Sequence, residues 1–157
     1  RYISNLGLEM LEISDGSINL NHNKKCEMIS DFSKDFRVIS EVGSKNAKQI
    51  IKSKEWIKLM RNEINAGSWK VIAEAREGGN VGVFDSDGGI KSELIDEISK
   101  AIPSEDILWE APKKQQQVFF IKLLGANVNL GNIGTNDIIP LECLRLGLRG
   151  DTFFNFI

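Results

Sequence analysis

With 157 residues, 41% of them apolar, the chain has material for one packed core, or for part of a larger one, and not for two independent domains. Its 20 Lys and Arg against 22 Asp and Glu leave a net charge of -2, so it lacks the basic field that nucleic acid or an anionic membrane surface demands. No apolar run approaches the roughly 20 residues of a membrane-spanning helix, and Arg1 to Leu6 carry no signal-peptide core.

Cys26 and Cys143 stand far apart without paired spacing, and the chain has one histidine. Free thiols in a reducing, cytoplasmic setting are therefore expected, and zinc is not. The chain opens on Arg1 rather than Met, and an apolar strand pattern follows almost at once, so upstream sequence is expected to be missing.

In chain order, the first predicted element is a strand within Leu8 to Gly16, carrying Glu12. His22 is expected at the surface ahead of a helix, with Cys26 and Cys143 filling core positions; none of the three is assigned chemistry. A second strand runs from Arg37 to Gly43 and carries Glu41. From Ala47 to Ala66, Trp56, Ile57, Met60 and Ile64 recur at helical steps on one face, with Gly67 as the cap. Lys70 to Glu77 is a third strand with Glu74, followed by the glycine-rich stretch Gly78 to Gly89, a loop with room for a short hairpin. Ser92 to Ile102 is a helix stopped by Pro103, Ile107 to Pro112 a fourth strand with Glu110, and Lys114 to Leu124 a helix stopped by Gly125. Asn127 to Ile133 repeats the strand character with asparagine where the others carry glutamate. Ile138 to Leu148 is a last helix, with Pro140 tolerable in its first turn.

Strands alternating with helices argue for βα units and a parallel sheet. Neither a G-x-G-x-x-G turn nor a phosphate-loop lysine motif is present, which counts against an open nucleotide-binding sheet. Polar residues at successive strand ends are what a (β/α)8 TIM barrel needs, because its site is assembled at the carboxyl ends of the strands. Such a barrel takes about 250 residues. Residues 1–157 are therefore expected to be an incomplete, C-terminal portion of that α/β barrel. Apolar strands at two open edges would make the isolated chain prone to aggregation.

Side chains alternate along a strand, so Arg37, Ile39 and Glu41 share a face, as do Lys70, Ile72 and Glu74. Glu41, Glu74 and Glu110 converging on one mouth would offer oxygen ligands to a hard divalent cation, magnesium above others. Equally, Arg37 and Lys70 could tie the glutamates into a buried ion-pair network; the pattern does not choose. Positive groups near strand ends are Lys45, Arg76, Lys113, Arg145 and Arg149. Lys45 can reach a substrate and deliver a proton, or be a solvated lysine. Arg76, between Glu74 and Glu77, suits an anion or a salt bridge to its neighbours. Gly131-Asn132-Ile133-Gly134, between strand and helix, is where barrels bind phosphate through backbone donors.

The strings Glu12-Ile13-Ser14-Asp15-Gly16-Ser17, Ser40-Glu41-Val42-Gly43-Ser44-Lys45, Glu74-Ala75-Arg76-Glu77 and Glu110-Ala111-Pro112 stand in order along the chain. Asn127-Val128-Asn129-Leu130-Gly131-Asn132-Ile133 and the run from Leu141 through Arg145 and Arg149 to Thr152 follow them. Together they resemble the phosphosulfolactate synthase family over essentially the whole chain. The resemblance implies a (β/α)8 barrel of which this chain holds the fourth to eighth strands.

It implies, too, a carbon-sulfur lyase that uses Mg2+ to add sulfite to phosphoenolpyruvate, giving (2R)-3-phosphosulfolactate for coenzyme M or sulfolactate. Glu41, Glu74 and Glu110 would hold the metal, with Glu74 and Arg76 also in the catalytic set. Lys45 matches the family lysine proposed as general acid, and Arg76, Arg145, Arg149, Lys113, Gly131 and Asn132 are candidates for the anions of the substrates. A homo-oligomer is expected at full length, with no nucleic-acid or membrane partner.

Ser44 stands where archaeal members have a lysine, and Ala75 and Gly78 alter the family string around Arg76. Plant heat-stress relatives have lost much of the Glu-Val-Gly-x-Lys and Ala-Arg-Glu strings that this chain keeps. Retention favours the enzyme over a non-catalytic role in stress protection or interaction. A barrel enzyme adding another nucleophile to a phosphorylated enol stays open.

Overall fold

A computed structural model of the chain describes residues 3–16, 18, 20–44, 51–76 and 78–155. Lys45 and the start of the helical pattern, within 45–50, lie outside the described residues, as do Ser17 and Glu77. The elements alternate: β1 (Met10–Ile13), α1 (His22–Phe32), β2 (Arg37–Val42), α2 (Ser53–Asn65), β3 (Lys70–Ala73) and α3 (Ser92–Ala101). They continue with β4 (Ile107–Glu110), α4 (Lys114–Leu124), β5 (Leu130–Gly131) and α5 (Ile138–Arg145). The five strands form one sheet in chain order, and every neighbouring pair is parallel.

Register divides the side chains between two faces. Pairing of Ser40 with Val71 and of Ala73 with Trp109 puts Val38, Ser40, Val42, Val71, Ala73, Ile107 and Trp109 on one side. Val42, Val71, Ala73, Ile107 and Trp109 pack with Trp56 and Met60 of α2, Ile95 and Ile98 of α3, Phe120 and Ile121 of α4, and Leu141 and Leu144 of α5. Ile13 and Val38 meet Ile29 of α1 in a smaller cluster beside it. The helices therefore line one face, as consecutive right-handed crossovers require when strand order never reverses. Trp109 stacks on Phe120 at 4.9 Å between ring centres, fastening α4 to its own strand, β4.

Local chemistry sets the ends of the elements. Asn21 caps α1 by accepting the Asn23 N–H at 2.9 Å. Gly125, at φ 92°, ends α4 in a conformation that a side chain would resist. Pro140 is the third residue of α5, where its missing N–H would have had no partner within the helix. That helix is shorter than its apolar pattern: it ends at Arg145 rather than Leu148 and is preceded by a 3-10 turn, Thr135–Asp137. β5 keeps two residues of the seven in its apolar run. Gly78 to Gly89 is a loop with one antiparallel bridge, Phe84 to Ile90, as the hairpin expectation allowed.

The cysteines are half-buried rather than core-filling. His22 opens α1, with its ring 3.7 Å from the buried Glu63 carboxylate. Among the described residues no helix is long and apolar enough to cross a membrane.

Candidate active site

The face opposite the helices carries the glutamates at the carboxyl ends of the strands. Glu41 is the fifth residue of β2, Glu74 the first beyond β3 and Glu110 the last of β4. Each contributes one carboxylate oxygen to a group whose members all lie within 4.8 Å of one another. Among the described residues this is the one cluster of three or more acidic, histidine or cysteine side chains with such convergence. The cluster lines a cleft of about 610 Å³ that Glu12, Arg76, Gly78, Asn80 and Asn132 complete. Glu41 and Glu74 are buried, at 4% and 1% exposure, and Glu110 is half-buried.

Short local contacts aim these carboxylates. Ser14, just beyond β1, donates its hydroxyl to Glu41 Oε1 at 2.5 Å. Ala75 N–H donates to Glu110 Oε2 at 2.6 Å, and Arg76 N–H is shared between Glu74 Oε1 at 2.7 Å and Glu110 Oε2 at 3.0 Å. That sharing depends on Arg76 adopting φ 60°, a left-handed conformation unusual for a residue with a side chain. Two glycines let the neighbouring loops close on Glu74. A Cβ on Gly43 would lie 2.4 Å from Glu74 Cβ, and one on Gly82 would lie 1.7 Å from the Glu74 carbonyl oxygen. The glycine-rich loop is held there by Val83 N–H to Glu74 O and Asn80 N–H to Ala75 O, both at 3.2 Å.

Like charges at this distance cannot all ionise freely. Burial, then a hydrogen bond to Glu41 and its charge, then the charge of Glu110, push the Glu74 carboxyl from 4.5 up to about 8. The cluster therefore holds a proton at neutral pH that a divalent cation would displace. An all-oxygen donor set of carboxylates, with the amides of Asn80 and Asn132 lining the same cleft, suits magnesium, manganese or calcium rather than zinc.

The other expected site residues are placed unevenly. Arg76 is exposed at the mouth of the cleft, and Asn132, at φ 58°, lines it. Gly131 pairs with Glu110 and admits Leu108, whose Cδ2 would be 2.2 Å from an added Cβ. Lys113 is exposed just beyond β4, its ammonium beside Gly88, and does not line the cleft. Arg145 is not brought to the cleft either. Its guanidinium donates to the carbonyls of Ala126 and Val128, before β5 begins, at the opposite end of the sheet. Arg149 is exposed on the turn after α5 and does not line the cleft.

Arg37 and Lys70, the cations of the ion-pair alternative, flank Trp69 at 4.6 and 4.7 Å from its ring centre. They begin their strands, about 13 Å along the chain from the glutamate end.

Glu12, Ser14 and Asn80 were not singled out from the sequence as site residues. Glu12 had a signal, since it shares a face with Ile39 and Glu41 once the strands are aligned in register. Asn80 had none, because only the folding back of the glycine-rich loop brings it to the cleft.

The sequence profile of the family described as (2R)-phospho-3-sulfolactate synthase (ComA) matches residues 1–151. The phosphosulfolactate synthase of Bacillus subtilis is 45% identical over 157 residues, covering 98% of this chain and 62% of that protein. Those of Methanothermobacter thermautotrophicus and Methanocaldococcus jannaschii are each 41% identical, covering 94% of this chain and 58% and 61% of theirs. The chain thus spans about three fifths of the length of these relatives.

Proposed function

The chain belongs to the (2R)-phospho-3-sulfolactate synthase family, and from that premise we propose that the full-length protein adds sulfite to phosphoenolpyruvate at the carboxylate cleft, with Mg2+ held by Glu41, Glu74 and Glu110. The observation that carries this reading is the convergence of three carboxylate oxygens within 4.8 Å at consecutive strand ends. The five units are read as the fourth to eighth of a (β/α)8 barrel. Support comes from a sheet that is parallel, ordered as the chain runs and covered by helices on one face, leaving the other face to become an interior.

In the reaction, the sulfur lone pair forms a bond to C3 of phosphoenolpyruvate, the C2–C3 π pair moves toward the substrate carboxylate, and C2 takes a proton. The phosphate ester is untouched, so atoms and charge balance with one proton consumed. A bound divalent cation would neutralise charge building on the substrate carboxylate. Glu41, held by Ser14, and Glu110, held by Ala75 and Arg76, orient the donor oxygens before substrate arrives. The exposed Arg76 guanidinium offers a bidentate partner to sulfite or carboxylate. Asn132, which lines the cleft just beyond the paired Gly131, is the candidate partner for phosphate. Lys45, following the β2 strand end, is the proton donor to C2. Lys113 and Arg149, exposed outside the cleft lining, stay as candidates for the substrate anions, while Arg145 is left out by its placement.

Phosphorus NMR on the full-length protein with phosphoenolpyruvate, sulfite and magnesium tests this. The expected outcome is a new phosphate-ester resonance that requires sulfite and the metal and is lost in Glu41→Gln and Lys45→Ala. Intact phosphoenolpyruvate with a folded protein would overturn the synthase reading.

A further inference from the structure

The least exposed lysine of the described chain does nothing in the reaction above. Lys25 of α1 is 1% exposed, on the helix side of β2. Its ammonium donates to Asp15 Oδ1 at 2.8 Å, to Glu63 Oε1 at 2.8 Å, and to the backbone carbonyl of Glu41 at 2.5 Å. Three donors meet three acceptors, so the group is fully used. Burial pulls Lys25 down, but the Glu63 and Asp15 carboxylates outweigh it and hold the ammonium above its usual range. The same burial pushes the Glu63 carboxyl up, against the pull of Lys25. With acceptors on three sides, the charged lysine is the firm member of this pair.

A buried ion pair contributes little net stability over a well-packed apolar pair, so stability alone does not account for its position. The third acceptor does. Glu41 supplies a carboxylate to the cleft, and the lysine grips its carbonyl from behind. Asp15 extends the grip, because it follows Ser14, whose hydroxyl donates to Glu41 Oε1. One ammonium thus touches the Glu41 backbone directly and the Glu41 carboxylate through the loop after β1. We propose that Lys25, braced by Glu63, is a positioning residue for the carboxylate cleft, fixing Glu41 at both its carbonyl and its carboxylate. This rests on the metal-site reading above.

The test titrates Mn2+ into the full-length protein and follows the free ion by electron paramagnetic resonance. Wild type binding Mn2+, with binding lost in Glu41→Gln, establishes the cleft. Binding that Glu41→Gln leaves intact overturns the site and this inference with it. The decisive variant is Lys25→Met with Glu63→Gln, which removes both buried charges together and leaves only the part-exposed Asp15 carboxylate to water. The expected result is a fall in Mn2+ affinity of about 10- to 100-fold, with a urea unfolding midpoint near wild type. A purely structural pair would move the midpoint and leave affinity alone; unchanged affinity in the folded double variant overturns the proposal. Should that variant not fold, Asp15→Ala decides, since the Asp15 side chain is 26% exposed and tolerates truncation. A weaker Mn2+ affinity there supports the chain of contacts, and an unchanged one overturns it.

Discussion

Glu41 belongs to two charge clusters built on opposite terms. In front of the sheet its carboxylate converges with Glu74 and Glu110, three acids within 4.8 Å. Behind the strand end its carbonyl meets an ammonium set between Asp15 and Glu63. The rear cluster sets one buried ammonium against two carboxylates, opposite charges that hold one another in place. The front cluster answers its like charges by retaining a proton on Glu74. Paired opposite charges mark the part that fixes the strand end, and a retained proton marks the part built to receive something.

The harshest way to break that contrast is to unbalance the rear. Lys25→Ala leaves Glu63, itself 1% exposed, without its ammonium. A loss of about 3–5 kcal/mol in urea unfolding of the full-length protein is expected. A loss under 1 kcal/mol would mean that water or His22 takes over the role of the ammonium.

Arg145 sharpens the contrast from the far end of the sheet. Its two donations to main-chain carbonyls predict that Arg145→Ala costs about 1.5–3 kcal/mol of stability while KM for each anionic substrate stays at its wild-type value. A rise in KM without loss of stability would return Arg145 to the binding set. Gly82→Ala strikes the front cluster through the backbone. A Cβ 1.7 Å from the Glu74 carbonyl, at φ 62°, must displace the glycine-rich loop or Glu74 itself. About 1–3 kcal/mol of destabilisation is expected, together with weaker Mn2+ binding in the same titration.

These residues also show what a sequence yields. The run Ile107 to Pro112 announces a buried strand with a carboxylate near its end, and the strand is found within those bounds, at Ile107–Glu110. Alternation placed Glu41 and Glu74 on the cleft side, and register confirms that face. Arg145 was legible in principle, since a helix following a strand runs back toward the strand's beginning and carries its last residues away from the active end. Lys25 was legible too: with Ile29 four residues on, it sits on the buried face of α1, where a lysine requires partners. Its partners were not legible, because Asp15, Glu41 and Glu63 come from three other segments that only the packed fold assembles. Asn80 and the left-handed Arg76 depend on loop closure, for which periodicity carries no signal.

A further expected effect is a slope rather than a loss, and it distinguishes the clusters by sign. In protein stripped of divalent ions, Glu74 keeps its proton up to about pH 8 in the folded state, against about 4.5 in the unfolded chain. Between those values the folded state binds more protons, so stability falls as pH rises from about 4.5 to about 8 and the contribution is constant outside that window. A carboxylate paired with a cation gives the reverse slope, gaining stability over its own range as pH rises. Urea midpoints for wild type and Glu74→Gln across this range isolate the term, because the variant lacks the titrating group and its difference from wild type should widen toward high pH. Mn2+ should turn the same proton to the opposite use. Binding displaces it, so apparent affinity should rise with pH until Glu74 is ionised without the metal, near pH 8. An affinity that ignores pH would place the proton, and with it the ion, somewhere other than this cluster.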